Sequence, residues 1–310
     1  MRVLVTGGLG FVGHAVTRRL ADAGHVPVVL TSRPDGQSRV AGVPVLQADV
    51  RDRDALRRVV EQARPEGVCH LAGLTRVRDS FEAPLGYYDV NVGGTVNLLA
   101  SLGGLPPVPV VFASTGAVYG FCEGNISEDQ PTQPANPYGA SKHAAENVLR
   151  YHAGTGAIGV VTLRCFNITG AVDRVGDTDT TRIIPKAIAV AAGQADVLGI
   201  NGDGKAVREF THVADVADAM VLGLAAAKPG TAATYNIGSG IEVTMLDVVR
   251  TVEAITGRQL PVEHHPPKPE PAVLVANSDR IRRDLEWQPR RASLEQIIRD
   301  AWGAVVRSPE

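Results

Sequence analysis

The sequence predicts an α/β fold, a doubly wound parallel sheet joined to a smaller C-terminal lobe. Three observations carry this expectation. Short apolar β-rich runs alternate with stretches of helical period through the first half of the chain, which implies crossover units with helices on both faces of a sheet. The first run leads straight into a glycine loop, Thr6-Gly7-Gly8-Leu9-Gly10-Phe11-Val12-Gly13. The alternation weakens after about residue 167, where a second, less regular part begins.

Arg2 to Val5 reads as a short buried strand and Phe11 to Ala23 as the helix after it. Val26 to Leu30 and Val43 to Gln47 are the second and third strands. Ala55 to Gln62 is helical, Gly67 to Leu71 is another buried strand, and Leu85 to Leu102 is a long helix. Pro109 to Ser114 is a strand ending at Thr115, Tyr138 to Tyr151 a helix, and Gly159 to Arg164 a further strand. Beyond these, Asp173 to Thr181 is polar and lacks a core pattern, and Ile184 to Ala192 is helical. Pro266, Pro267, Pro269 and Pro271 mark an extended loop. The expected division is residues 1–167, with a returning segment at about 207–237, for a dinucleotide-binding domain. About 168–206 and 238–310 form a substrate-binding lobe.

Composition narrows the function classes. A chain of 310 residues with 44% hydrophobic content can bury a substantial core. The formal net charge is -2 with no basic block, which argues against nucleic acid or an anionic membrane as partner. Cys69, Cys122 and Cys165 have neither metal spacing nor an even disulfide framework, which fits a reducing cytoplasm. The opening strand leaves no room for a signal peptide, and no apolar run reaches the ~18 residues of a membrane span. The histidines offer no ligand set: His143 follows Lys142, His212 reads as structural, and His264-His265 falls in the proline-rich loop. No metal is expected.

The glycine spacing has a physical reading. Gly7 allows a tight turn from the strand, Gly10 lets the backbone approach a pyrophosphate, and Gly13 allows close helix-strand packing. N-H groups at the helix N-terminus then face the phosphates, with Phe11 and Val12 lining the turn. This is a Rossmann-type dinucleotide site. At the end of the second strand stand Thr31-Ser32-Arg33. The acid that commonly holds the ribose diol of NAD is missing, and Arg33 offers a partner for the 2'-phosphate of NADP. Both cofactors stay open.

Tyr138-Gly139-Ala140-Ser141-Lys142 supplies the chemistry. Residues four apart share a helix face, and a nearby cation favours the phenolate, so the tyrosine can exchange protons below its usual pKa of about 10. A Tyr-x-x-x-Lys pair alone is a common helix feature. Joined to the glycine loop and to Ser114-Thr115, it resembles the extended short-chain dehydrogenase/reductases of the nucleotide-sugar 4-epimerase branch. The resemblance runs from Arg2 to about Trp302.

That resemblance implies further roles. Tyr138 exchanges a proton with a sugar hydroxyl as hydride moves to or from the nicotinamide, Lys142 supports it, and Thr115 donates to the same sugar oxygen. Asp49-Val50 resembles the adenine contact, and Leu71-Ala72-Gly73 the loop along the cofactor ribose, with Thr75 where the branch often has lysine. Arg164-Cys165-Phe166-Asn167 resembles the family's Arg-Tyr-Phe-Asn segment. Its Asn167 would meet the nucleotide diphosphate, and Cys165 would sit near the nicotinamide as a small buried residue. Arg182-Ile183 resembles the base-contacting segment. Arg208 resembles the diphosphate clamp, the alternative being an ion pair with Glu209 or Asp203. Lys268 is the only cation in the Pro266 to Pro271 loop.

Gly116 and Ala117 stand where 4,6-dehydratases carry Asp-Glu, and Ala117 where decarboxylating relatives carry Glu, so those chemistries are not expected. Epimerisation at C4 through a transient 4-keto sugar, with tightly held cofactor, is the leading reading. NADPH-dependent reduction of a 4-keto sugar is the alternative, and a non-catalytic dinucleotide sensor the third. The expected partners are a nucleotide-diphosphate sugar and a second copy of the chain. The homodimer would pair the Leu85 to Leu102 helix with the catalytic helix, with Leu98, Leu99, Val148 and Leu149 as candidates for burial there, core packing within one protomer being the alternative.

Overall fold

The computed structural model describes residues 1–306. Its centre is a seven-stranded, wholly parallel sheet. The strands are β1 (Arg2–Thr6), β2 (Val26–Thr31), β3 (Val45–Gln47), β4 (Gly67–His70), β5 (Val108–Thr115), β7 (Ile158–Cys165) and β14 (Ala232–Ile237). Their order is β14-β7-β5-β4-β1-β2-β3. The chain winds outward from β1 to β3, then returns to the other side of β1 with β4. This reversal opens a crevice at the carboxyl ends of β1 and β4, where ligands bind in open α/β sheets.

The period of two in each strand sorts side chains to two cores. Val3, Val5, Val111 and Val161 pack under α1 (Phe11–Asp22) and α8 (Val213–Ala226). Leu4, Val110, Phe112 and Val160 pack on the other face, under α2 (Arg53–Ala63), α5 (Gly94–Ser101) and α6 (Pro137–Ala153). Strands buried on both faces read as continuous apolar runs, which is why they were visible in the sequence.

The expected helix from Leu85 to Leu102 is present with a change of pitch. After α3 (Val77–Glu82), α4 (Pro84–Tyr88) passes into a π-helical turn at Asp89–Gly93 and then into α5. Leu98, Leu99 and Leu149 are 0%, 5% and 0% exposed within the protomer's own core, and Val148 packs against it. Core packing within the protomer thus accounts for the burial of Leu98, Leu99 and Leu149. The exposed large apolar residues on these helices are Val77, Phe81, Leu85, Tyr88, Val96 and Tyr151.

The second part surrounds the core of α7 (Ile183–Ala191), α9 (Met245–Thr256) and α11 (Leu294–Val305). A four-stranded sheet joins β15 (Val243–Thr244), β12 (Val207–Arg208), β17 (Val273–Ala276) and β6 (Gly124–Ile126). Two-residue strands β8 (Ile168–Thr169) and β13 (Thr211–His212) pair with each other. The polar stretch read as patternless holds part of a hairpin, β9 (Ala171–Val172) with β10 (Val175–Gly176), turned by Asp173 and Arg174 at positive φ. His264-His265 lies in a strand rather than a loop: β16 (Val262–His265) pairs with β11 (Leu198–Asn201). The short α10 (Asp279–Leu285) packs near β14.

Candidate active site

A cavity of about 1470 Å³ opens at the carboxyl ends of the sheet strands, and every site residue expected from the sequence lines it. The glycine loop forms one end. Gly7 has φ +70, and a Cβ on Gly13 would lie 2.2 Å from the Gly7 carbonyl oxygen. Gly10 caps α1 without a side-chain bond, leaving the first N-H groups of the helix for an anion. The turn is thus a cradle that side chains would fill, and it fits a dinucleotide pyrophosphate.

The loop after β4 is held from below by residues the sequence reading passed over. Leu71 and Ala72 N-H donate to Thr6 Oγ1 (3.1 and 3.0 Å). Thr6 in turn donates to His70 Nδ1 (2.7 Å), and His70 Nε2 donates to Thr95 Oγ1 (3.0 Å). Burial and the Lys142 charge push His70 down to about 3, so it is neutral. Thr95 donates to the Asn91 carbonyl (2.6 Å). Asn91, set inward by the π turn, accepts from Leu74 N-H (2.8 Å) and donates to Leu74 O (3.1 Å) and Ser141 Oγ (2.9 Å). Ser141 closes the chain on the Tyr138 carbonyl (2.8 Å). The loop after β4 and the helix α6 are therefore one hydrogen-bonded body. Partners 17 to 66 residues apart gave no local signal.

Asn136 starts α6: its side chain accepts from Gly139 N-H (2.8 Å), and Pro137 fills the first turn. This cap was readable in the sequence and was not used. Tyr138, Lys142 and Thr115 are 9%, 3% and 9% exposed. Thr115 Oγ1 accepts from Ala117 N-H (3.1 Å), and the Thr115 hydroxyl favours ionisation of the Tyr138 phenol. The expected depression of the Tyr138 pKa is not produced by the protein's own groups. Burial raises it, and the Thr115 hydroxyl and the Arg182 charge lower it by less. Lys142 lies with Nζ 4.0 Å from the Phe112 ring centroid, and burial brings its pKa down to about 8 against the pull of Glu146. A cation bound beside Tyr138, such as an oxidised nicotinamide, would supply the missing bias toward phenolate.

Burial pushes the Cys165 thiol up to about 12, so it is inert at neutral pH, as a small buried residue would be. Asp49 is held below the usual carboxylate range, chiefly by its hydrogen bond from Arg51 (2.7 Å). Arg33 is exposed, its Nη1 3.5 Å from the Leu9 carbonyl.

At the other end, Arg208 donates to Pro271 O (2.9 Å) and to Glu270 (3.1 Å), not to Glu209 or Asp203. Arg182 pairs with Asp177 (2.9 Å). Asn167, at φ +31, donates to the Glu209 carbonyl (3.0 Å). Ile183 begins α7. His265 also lines the cavity, which the sequence reading missed by placing it in a loop. Among the described residues, no group of three His, Cys, Asp or Glu side chains is gathered for a metal.

Residues 3–238 match the model of the NAD dependent epimerase/dehydratase family. The chain belongs to that family. It is an enzyme of the extended short-chain dehydrogenase/reductase type, as its motifs implied, and NAD-dependent, a choice those motifs had left open. Similar family members include the UDP-glucose 4-epimerases of Streptomyces lividans, 37% identical over 97% of this chain and 95% of that one, and of Azospirillum brasilense, 38% identical over 97% and 90%. The crystal structure of the UDP-glucose-4-epimerase from Stenotrophomonas maltophila, with bound NAD and formylated UDP-arabinopyranose, superposes with a TM-score of 0.90. It is 31% identical, covering 97% of both chains.

Proposed function

We propose that this protein is a nucleotide-sugar 4-epimerase that interconverts UDP-hexoses through a transient 4-keto sugar. The observation that carries the reading is the meeting of Thr115, Tyr138 and Lys142 in the cavity onto which the glycine loop opens. The gathered residues and the full-length likeness to named UDP-glucose 4-epimerases support it together. When bound, the nicotinamide supplies a hydride acceptor and donor. Tyr138 takes the C4 hydroxyl proton and returns it after the keto sugar turns over. Thr115 aligns the phenol and the sugar oxygen. Lys142 adds positive charge beside them. Gly116 and Ala117 bring no carboxylate to expel a hydroxyl, so elimination has no acid.

The lobe around α7 and α9 is taken as the substrate side, with Asn167, Arg182, Ile183, Arg208 and Lys268 turned to the nucleotide diphosphate. Arg208 and Arg182 would exchange Glu270 and Asp177 for phosphate oxygens, a geometry that guanidinium suits. The exposed apolar stripe of Phe81, Leu85 and Tyr88 on α3–α4 is taken as the homodimer face. No helix among the described residues is long and apolar enough to cross a membrane, and the cytoplasm is the compartment proposed.

UDP-galactose deuterated at C4 tests the reaction. The expected product is UDP-glucose that keeps its deuterium, formed without stoichiometric added cofactor, and Tyr138→Phe abolishes it. Deuterium passing into an added NADP pool would instead establish the 4-ketoreductase, the reading Arg33 favours.

A further inference from the structure

Tyr138, Lys142 and Glu146 are spaced by four along α6 and so share one helix face. The first two reach the cavity. Glu146 does not: it is 7% exposed and engages two neighbouring strands. Arg164 donates to both carboxylate oxygens, Nε to Oε1 (3.1 Å) and Nη2 to Oε2 (2.8 Å). Ser114 Oγ donates to Oε1, and His143 Nδ1 lies 3.5 Å from Oε2. Ser114 and Arg164 are partners across β5 and β7, and the next pair in register is Thr115 with Cys165. Glu146 therefore grips the rung directly before the one that lines the cavity. Arg164 is fixed in turn: its Nη1 donates to the Tyr119 hydroxyl (2.8 Å), which donates to Asn236 on β14 (2.8 Å).

We propose that Glu146 is a positioning residue of the active site, clamping the Ser114–Arg164 rung so that Tyr138 and Lys142 stand in register with Thr115, and balancing the Lys142 ammonium. The clamp sets α6 against the strand ends, and a misplacement of about 1 Å between reacting groups can cost ~10²-fold in rate. The charge matters because Lys142 is buried. The groups facing it are Tyr138 and Glu146 on its own helix, Cys165 and Arg164 on β7, neutral His70 on β4 and the Phe112 ring on β5. Glu146 is the only ionised carboxylate among them. The buried Arg164–Glu146 pair favours ionisation of Glu146 despite its desolvation.

The inference rests on the catalytic roles given to Tyr138 and Lys142, but one of its tests needs no turnover. In Glu146→Gln, the titration of Lys142, followed by NMR of the chain carrying labelled lysine, should move down by about one pH unit or more, since an attractive charge one helical turn away is lost. In the same variant kcat should fall about tenfold or more while KM stays within about threefold. Glu146→Gln leaves Arg164 buried and unpaired, so the double variant with Arg164→Met is measured beside it. Removing both charges of a buried pair together avoids the cost of one uncompensated buried ion. Both readouts should move in the double variant too. An unmoved Lys142 titration, or a shifted titration with wild-type kcat, overturns the proposal. A shifted titration in a protein that epimerises no UDP-sugar, wild type included, leaves the clamp standing and removes the reaction assigned above.

Discussion

Gly13→Ala is the most exacting test of the cofactor cradle. The added methyl carbon would lie 2.2 Å from the Gly7 oxygen, 2.7 Å from the Gly8 Cα and 2.9 Å from the Gly7 carbonyl carbon. All three are backbone atoms, so no side chain can swing away. Ordinary contact begins near 3.4 Å, so loop and helix must part by about 1.2 Å. The Gly7 carbonyl also accepts from Gly10 N-H (2.9 Å), so the strain falls on the turn itself. Overpacking of this kind costs about 1–3 kcal/mol of stability. A phosphate losing one charge-assisted N-H bond loses a further ~1.5–3 kcal/mol of binding, or roughly tenfold or more in Kd. Calorimetric titration with NAD and thermal unfolding would measure the two losses separately. Gly303→Ala is the control, since its Cβ meets nothing within 4 Å. If Gly13→Ala binds NAD within about threefold of wild type and melts at the same temperature, the cradle argument is wrong.

Three further perturbations follow from the site and surface. Lys142 titrates at about 8 in the fold against 10.5 unperturbed, so the folded state sheds that proton first, and the buried charge costs stability below about pH 8. Lys142→Met should therefore be the more stable protein near neutral pH, by up to about 3 kcal/mol, with the gap closing as pH rises toward 10.5. Urea melts across that range decide, and equal stability near neutral pH refutes it. Arg33→Ala should weaken NADP(H) about tenfold more than NAD(H), measured by calorimetry; equal losses would remove Arg33 from cofactor choice. Phe81→Glu with Leu85→Glu, at positions 61% and 83% exposed, should give a monomer in light scattering where wild type gives a dimer, with the melting temperature little changed.

What the sequence disclosed depended on range. Val3-Leu4-Val5 and Val110-Val111-Phe112 announced strands because both faces of the sheet are covered. Gly7, Gly13, Tyr138 and Lys142 announced the site because their spacing is local. His70 and Thr6, Asn91 and Ser141, Glu146 and Arg164 were silent, since each makes sense only beside a partner brought in by folding. Strands of two residues, such as Val207–Arg208, are too short to show a period. Leu98 and Leu149 are buried as expected, in the protomer's own core, but helical spacing alone could not say which of two apolar stripes faced inward.

The π turn at Asp89–Gly93 answers that question of stripes. Leu85 and Leu99 are 14 positions apart, which in an unbroken α-helix would leave them about 40° apart around the axis. Yet Leu85 is 83% exposed and Leu99 5%. Tyr88 and Leu102, the same distance apart, repeat the contrast at 42% and 5%. The wider turn is a phase slip, with one residue more than the winding requires, and it rotates everything before it away from everything after it. One rod thereby turns a different stripe of its surface inward on each side of the seam, with Asn91 at the seam between them. Removing a single residue from the seam would bring both halves into phase, and the outward patch, the core stripe and the Asn91 anchor could no longer all be kept.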